Sequence, residues 1–194
     1  MDGIWVGVII VGVLIVAFGP ILYVLPSKKD RRLAGLRAQA RRLGLTVELK
    51  PVRNPDAAAV ERVTAGGRPR APMHASARYA LTLDRMPDAA PPWRLLRSAR
   101  GWIADEGTAL PAGWLDQLQP LIDTLPDDVV GVDFSGRHLG CYWLERPAPE
   151  TDAVAKLKDA LASIGSQVAA LSGEAEANDA MAQTNERVVV GRND

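Results

Sequence analysis

The chain has 194 residues, with 23 Lys plus Arg balanced by 23 Asp plus Glu, and a single cysteine. The zero net charge excludes the wholesale basic footprint of a nucleic-acid binder, and a lone Cys141 excludes an intrachain disulfide. Outside its apolar N-terminal run the chain is long enough for one domain with a real core.

That run, residues 4–25, contains no charged residue, amide or histidine. At about 1.5 Å per residue a helix there reaches about 33 Å, against about 30 Å for a hydrocarbon core, so the pattern predicts a transmembrane anchor over 1–26. Trp5 and Tyr23 fall where aromatic rings prefer the two interfaces, and Gly7, Gly12 and Pro20 belong to a small-residue set able to seat a second helix. A cleaved signal peptide fits poorly, because Asp2 precedes the run and Lys28 and Lys29 follow it. Lys28, Lys29, Arg31, Arg32, Arg37, Arg41 and Arg42 stand against Asp30 alone. By the positive-inside rule this predicts a single-pass protein of a bacterial-type inner membrane, N-terminus outward and the remainder cytoplasmic.

Residues 27–44 read as a basic amphipathic helix, with Ser27 as N-cap, Leu33, Leu36, Ala40 and Leu43 on one side, and Gly44 as the stop. Its seven basic residues are either contacts to anionic membrane lipid or a topology signal. Alternation in 45–50 places Leu45, Val47 and Leu49 on the inward face of a first strand. The order of span, Pro26, the Lys28-Lys29 and Arg31-Arg32 cluster, basic helix and then Leu43-Gly44-Leu45-Thr46-Val47 resembles YajC, the small accessory subunit of the bacterial Sec translocon. Over these first fifty residues the resemblance implies a translocase accessory with Sec components as partners.

Residues 51–76 are rich in proline and glycine and read as loop. Gly66-Gly67 is followed by Pro69 and Pro72 where a phosphate cradle needs a helix N-terminus, and His74 has no ligand-spaced neighbour, so it reads as a solvated loop residue. Strands are predicted at 78–84, with Tyr79, Leu81 and Leu83 on one face, and at 93–97, with 101–104 either its neighbour or a connection; a turn starts at 86–88. Arg94, Arg97 and Arg100 beside Trp93 and Trp102 read as one solvated face over a tryptophan core rather than as a nucleic-acid surface. Residues 111–125 carry a helical leucine stripe that Pro120 should kink or split.

Next comes a hairpin. Val130, Val132 and Phe134 alternate up to a Ser135-Gly136 turn, and Leu139, Cys141 and Trp143 alternate back, leaving one apolar face. His138 and Cys141, three apart on a strand, point to opposite faces and make neither a metal site nor a catalytic pair. From a cap at Thr151 or Asp152, Val154, Leu157, Leu161, Ile164, Val168 and Leu171 predict a helix that covers the sheet or seams a partner helix. Residues 173–194 read as a disordered tail.

The sequence thus predicts an α+β protein. A transmembrane helix precedes a cytoplasmic domain over 45–172, with a mostly antiparallel sheet of four to five strands covered by helices. No catalytic constellation, cofactor site or metal site stands out. The expected function is an accessory or scaffold working through protein contacts, the alternative a tethered domain binding lipid or a small ligand.

Overall fold

The computed structural model describes residues 2–23, 27–64, 66–84, 91–108, 110–146 and 152–190. The chain divides into two compact units, Met1–Arg37 and Ala38–Asp194.

The first unit holds helix α1 (Asp2–Tyr23) and most of α2 (Lys28–Arg42). The span predicted for 1–26 is corrected, and with it the single-pass topology, the inner-membrane location and the cytoplasmic placement of the remainder. Among the described residues no helix is long and apolar enough to cross a membrane.

Helix α2 starts and stops where its sequence dictates. The Ser27 hydroxyl accepts from the Asp30 backbone N–H at 3.2 Å, while the Asp30 carboxylate accepts from the Ser27 N–H at 3.1 Å and from its hydroxyl at 2.7 Å. These reciprocal bonds satisfy donors orphaned at a helix start, and they lower the Asp30 pKa. At the other end Gly44, at φ 85°, lets the Leu45 N–H reach the Ala40 carbonyl and its own N–H reach that of Arg41. This is the Schellman closure that glycine permits.

The second unit is α+β. Its strands are β1 (Thr46–Leu49), β2 (Val52–Arg53), β3 (Met73–His74), β4 (Ala77–Thr82), β5 (Trp93–Ser98), β6 (Gly101–Ala104), β7 (Val129–Ser135) and β8 (His138–Trp143). Six form an antiparallel sheet in the order β1-β4-β8-β7-β5-β6, one strand more than the pattern predicts, and β2 pairs with β3 separately. Helix α3 (Trp114–Ile122) lies between β6 and β7, and α4 (Ala153–Val190) follows β8. Pro120 does not split α3, because it stands in the last turn, where little helix remains to disrupt. Leu49 sits at the sheet edge and is 73% exposed, so the expected inward alternation of β1 ends at Val47.

One sheet face is apolar. Tyr79, Trp93, Leu95, Val132, Phe134, Leu139, Cys141 and Trp143 are buried there, and α4 packs over β4 and β8 and against α3. The whole predicted stripe of α4, from Val154 to Leu171, is buried. It covers the sheet rather than presenting a seam, and an added Cβ at Gly165 would stand 2.6 Å from the Leu83 side chain on the same face as Tyr79. α4 continues to Val190 where composition predicts a disordered tail from 173; continued i to i−4 bonding carries it past Gly173.

The hairpin turn falls at Gly136-Arg137, because Ser135 pairs with His138. An irregularity in register between Val129 and Gly131 shifts Val130 out of the predicted apolar row, onto a cluster with Val52, Leu96 and Tyr142 on the other face. The turn expected at 86–88 and the Thr151 cap lie outside the described residues.

Leu161 is fully buried between α4 and the sheet. Leu161→Ala is expected to cost about 2–5 kcal/mol in urea unfolding.

Candidate functional site

The second sheet face was not legible as a site, and it carries the buried charges. Cross-strand register builds it in rows. Glu48, Arg78, Tyr142, Gly131 and Leu96 form one; Thr46, Ala80, Gly140, Asp133 and Arg94 form the next; Thr82, His138 and Ser135 form a third. The Val52 cluster covers the first row at Leu96 and Tyr142, whereas Thr82, Ser135 and His138 in the third are exposed.

Asp133 is only 5% exposed. Its carboxylate accepts from Arg78 Nε at 2.9 and 3.1 Å and from the Tyr142 hydroxyl at 3.1 Å. Arg78 starts one row away and reaches Asp133 by crossing Gly140. A Cβ at Gly140 would stand 2.6 Å from Asp133 Oδ1 and 2.8 Å from Arg78 Nε and Cζ, so the ion pair requires the glycine. The Arg94 guanidinium lies 5.6 Å from the Tyr142 ring centroid, a cation–π distance. Burial, with Asp133 alongside, pushes the Tyr142 hydroxyl up to about 12.

Arg94 ties this group to a second one. Asp105, also buried, accepts from Arg94 Nη1 at 3.1 Å and Arg53 Nε at 2.8 Å, and Arg53 Nη1 reaches the exposed Glu106 at 3.0 Å. On the apolar side, the Tyr79 hydroxyl donates to Glu145 Oε1 at 2.6 Å. Glu145 is buried and holds φ 53°, a left-handed conformation costly for a residue with a side chain.

The residues singled out by sequence fall elsewhere. Trp5 is 69% exposed on α1, Gly7 and Gly12 face open space, and the side chains of Pro20 and Tyr23 lie outside the described residues. Lys28, Lys29, Arg31, Arg41 and Arg42 are exposed on α2, with Arg32 and Arg37 half-buried. His74 is half-buried on β3, where burial and then the Arg146 charge lower its pKa, which corrects its reading as a solvated loop residue. His138 is exposed with Nδ1 3.2 Å from the Thr82 hydroxyl, and Cys141 is fully buried, its thiol pushed well above its ordinary value by burial. Arg94, Arg97 and Arg100 share no surface: Arg94 joins Asp105, Arg97 stacks 5.0 Å from Trp102 and donates to the Asp127 carbonyl, and Arg100 lies in the turn after β5. Groups of three or more His, Cys, Asp or Glu placed to hold a metal ion are absent among the described residues.

No family model matches this chain, and comparisons with curated proteins and with solved structures each found no match.

Gly140→Ala is expected to destabilise the protein by about 1–3 kcal/mol, since the methyl meets a held ion pair. Gly165→Ala, which meets only the flexible end of Leu83 and gains helix propensity, should cost less in the same thermal unfolding series. Tyr142 supplies a pH test. An unfolded tyrosine ionises near about 10, whereas Tyr142 keeps its proton to about 12, so between these values the unfolded chain binds fewer protons and stability falls as pH rises. Tyr142→Phe should remove that part of the alkaline slope in urea titrations.

Proposed function

We propose that the chain is a non-catalytic accessory protein working through protein–protein contacts. The observation that carries this reading is α1. From Ile4 to Leu14 its large apolar side chains are 48–75% exposed, and they point all round the helix rather than along one stripe. Removing such side chains from water is worth about 1.5–3 kcal/mol each when complete, and contiguous apolar surface of this kind marks a contact site. The polar groups of the sheet face are held largely by one another, which fits a structural core rather than a reaction centre.

The resemblance of the first fifty residues to YajC makes subunits of the Sec translocon the partners to count first. The test places a photoreactive amino acid at Ile9 or Val13, with exposed Glu61 as control, crosslinks in intact cells and identifies products by mass spectrometry. Sec subunits captured from Ile9 and Val13 but not from Glu61 are the expected outcome. Self-crosslinks alone, or equal capture from Glu61, overturn the Sec reading.

A further inference from the structure

We infer that the polar sheet face binds a small oxyanion, a carboxylate or phosphate group, on the terminal nitrogens of Arg78. The Arg78 side chain is 10% exposed, and its ion pair uses Nε alone. Among the described residues Nη1 and Nη2 have no hydrogen-bond partner, and neither is a fully enclosed unsatisfied atom, so both reach solvent. A buried guanidinium with its terminal edge turned to water presents parallel N–H donors, the geometry that takes two oxygens of one anion.

The edge is also fixed in advance. Asp133 holds Nε, the Tyr142 hydroxyl holds Asp133, and the guanidinium rests where a Cβ on Gly140 would be. Little side-chain freedom is left to lose when an anion arrives, which favours binding. The row beyond Gly140, with Thr82, Ser135 and His138, is exposed, so the approach is open on that side. Asp133 offsets the Arg78 charge, and Arg94, beside Asp133 in register, shares its charge with Asp105 at 3.1 Å, so the anion is held by the Arg78 donors rather than by a surplus of positive charge. Opposite Arg78 on β1 is Glu48, exposed and without a partner among the described residues. Its carboxylate opposes an incoming anion.

The test titrates the full chain with inorganic phosphate and, separately, with acetate at constant ionic strength set by sodium chloride. Binding is read from the Arg78 guanidinium resonances and by calorimetry. Saturable binding with Kd of about 1–10 mM is expected for at least one anion, with the Arg78 signals shifting. Tighter phosphate assigns a phosphate ligand, and tighter acetate a carboxylate. Arg78→Lys keeps the charge and removes the fork, and should weaken binding at least tenfold in protein whose circular dichroism matches wild type. Glu48→Gln, at an exposed site, should tighten it a few fold. The inference is overturned if neither anion saturates, if the Arg78 signals stay put, or if folded Arg78→Lys binds like wild type. Should Arg78→Lys fail to fold, an unchanged affinity in Glu48→Gln overturns it equally.

Discussion

A buried carboxylate in the middle of an antiparallel sheet sets conditions that much of the second unit meets. Removing Asp133 from water costs several kcal/mol unless a partner and hydrogen bonds replace the lost hydration. Arg78 supplies the charge and Tyr142 a further donor. Both come from the two strands on one side of β7, so the pair can form only in the observed strand order. Gly140 follows from the same requirement, because any side chain there would occupy the path of the guanidinium. Gly131, next to Tyr142 in its row, leaves room for the ring in a similar way: a methyl added there would meet Tyr142 Cδ2 and the Leu95 carbonyl at 3.2 Å.

The two faces of the sheet therefore do different work. The α4 face gains its stability from area: tryptophans, phenylalanine and a continuous helical stripe exclude water without needing directional contacts. Even so, the Trp93 and Trp143 Nε1 atoms are buried there without a hydrogen-bond partner, each at a cost of about 1–3 kcal/mol that the packing outweighs. The other face gains little from area and much from arrangement. A shift of β7 by one residue would leave Asp133 against the tryptophans, so the ion pair selects the register as well as tolerating it.

What the sequence made legible follows the range of each interaction. The Ser27 cap, the Gly44 stop, the hairpin and the α4 stripe are written within a few residues of themselves, and they stand as read, apart from a hairpin turn displaced by one position and Val130 moved to the other face. Arg78 and Asp133 are 55 positions apart, and each alone looks like an ordinary outward residue on an alternating strand. A signal did exist: Gly131, Asp133 and Gly140 interrupt strands otherwise rich in large apolar residues, and a glycine inside a strand often marks a close approach. The irregular register at Val129 and Gly131 left no comparable mark, since Val129 and Val130 are interchangeable in pattern. Apolar length was the weakest guide, because a count of uncharged residues over 4–25 carries no information about what covers them.

Division of labour extends to the N-terminal helix. In the second unit most apolar side chains find helices and strands to pack on, and exceptions such as Leu49 and Ile103, at the two sheet edges, are single residues. Singly exposed apolar residues are a normal feature of protein surfaces. The run from Ile4 to Leu14 differs in kind, because neighbouring positions on every side of the helix are exposed together. A groove that accepts one face of such a helix leaves its other faces in water, so a single flat docking contact does not account for it. An environment that surrounds the helix does, and several protein segments packed around α1 would provide one. On the proposed reading this is a stricter demand on a partner than affinity alone, since it requires more than one element to meet the same short stretch of chain.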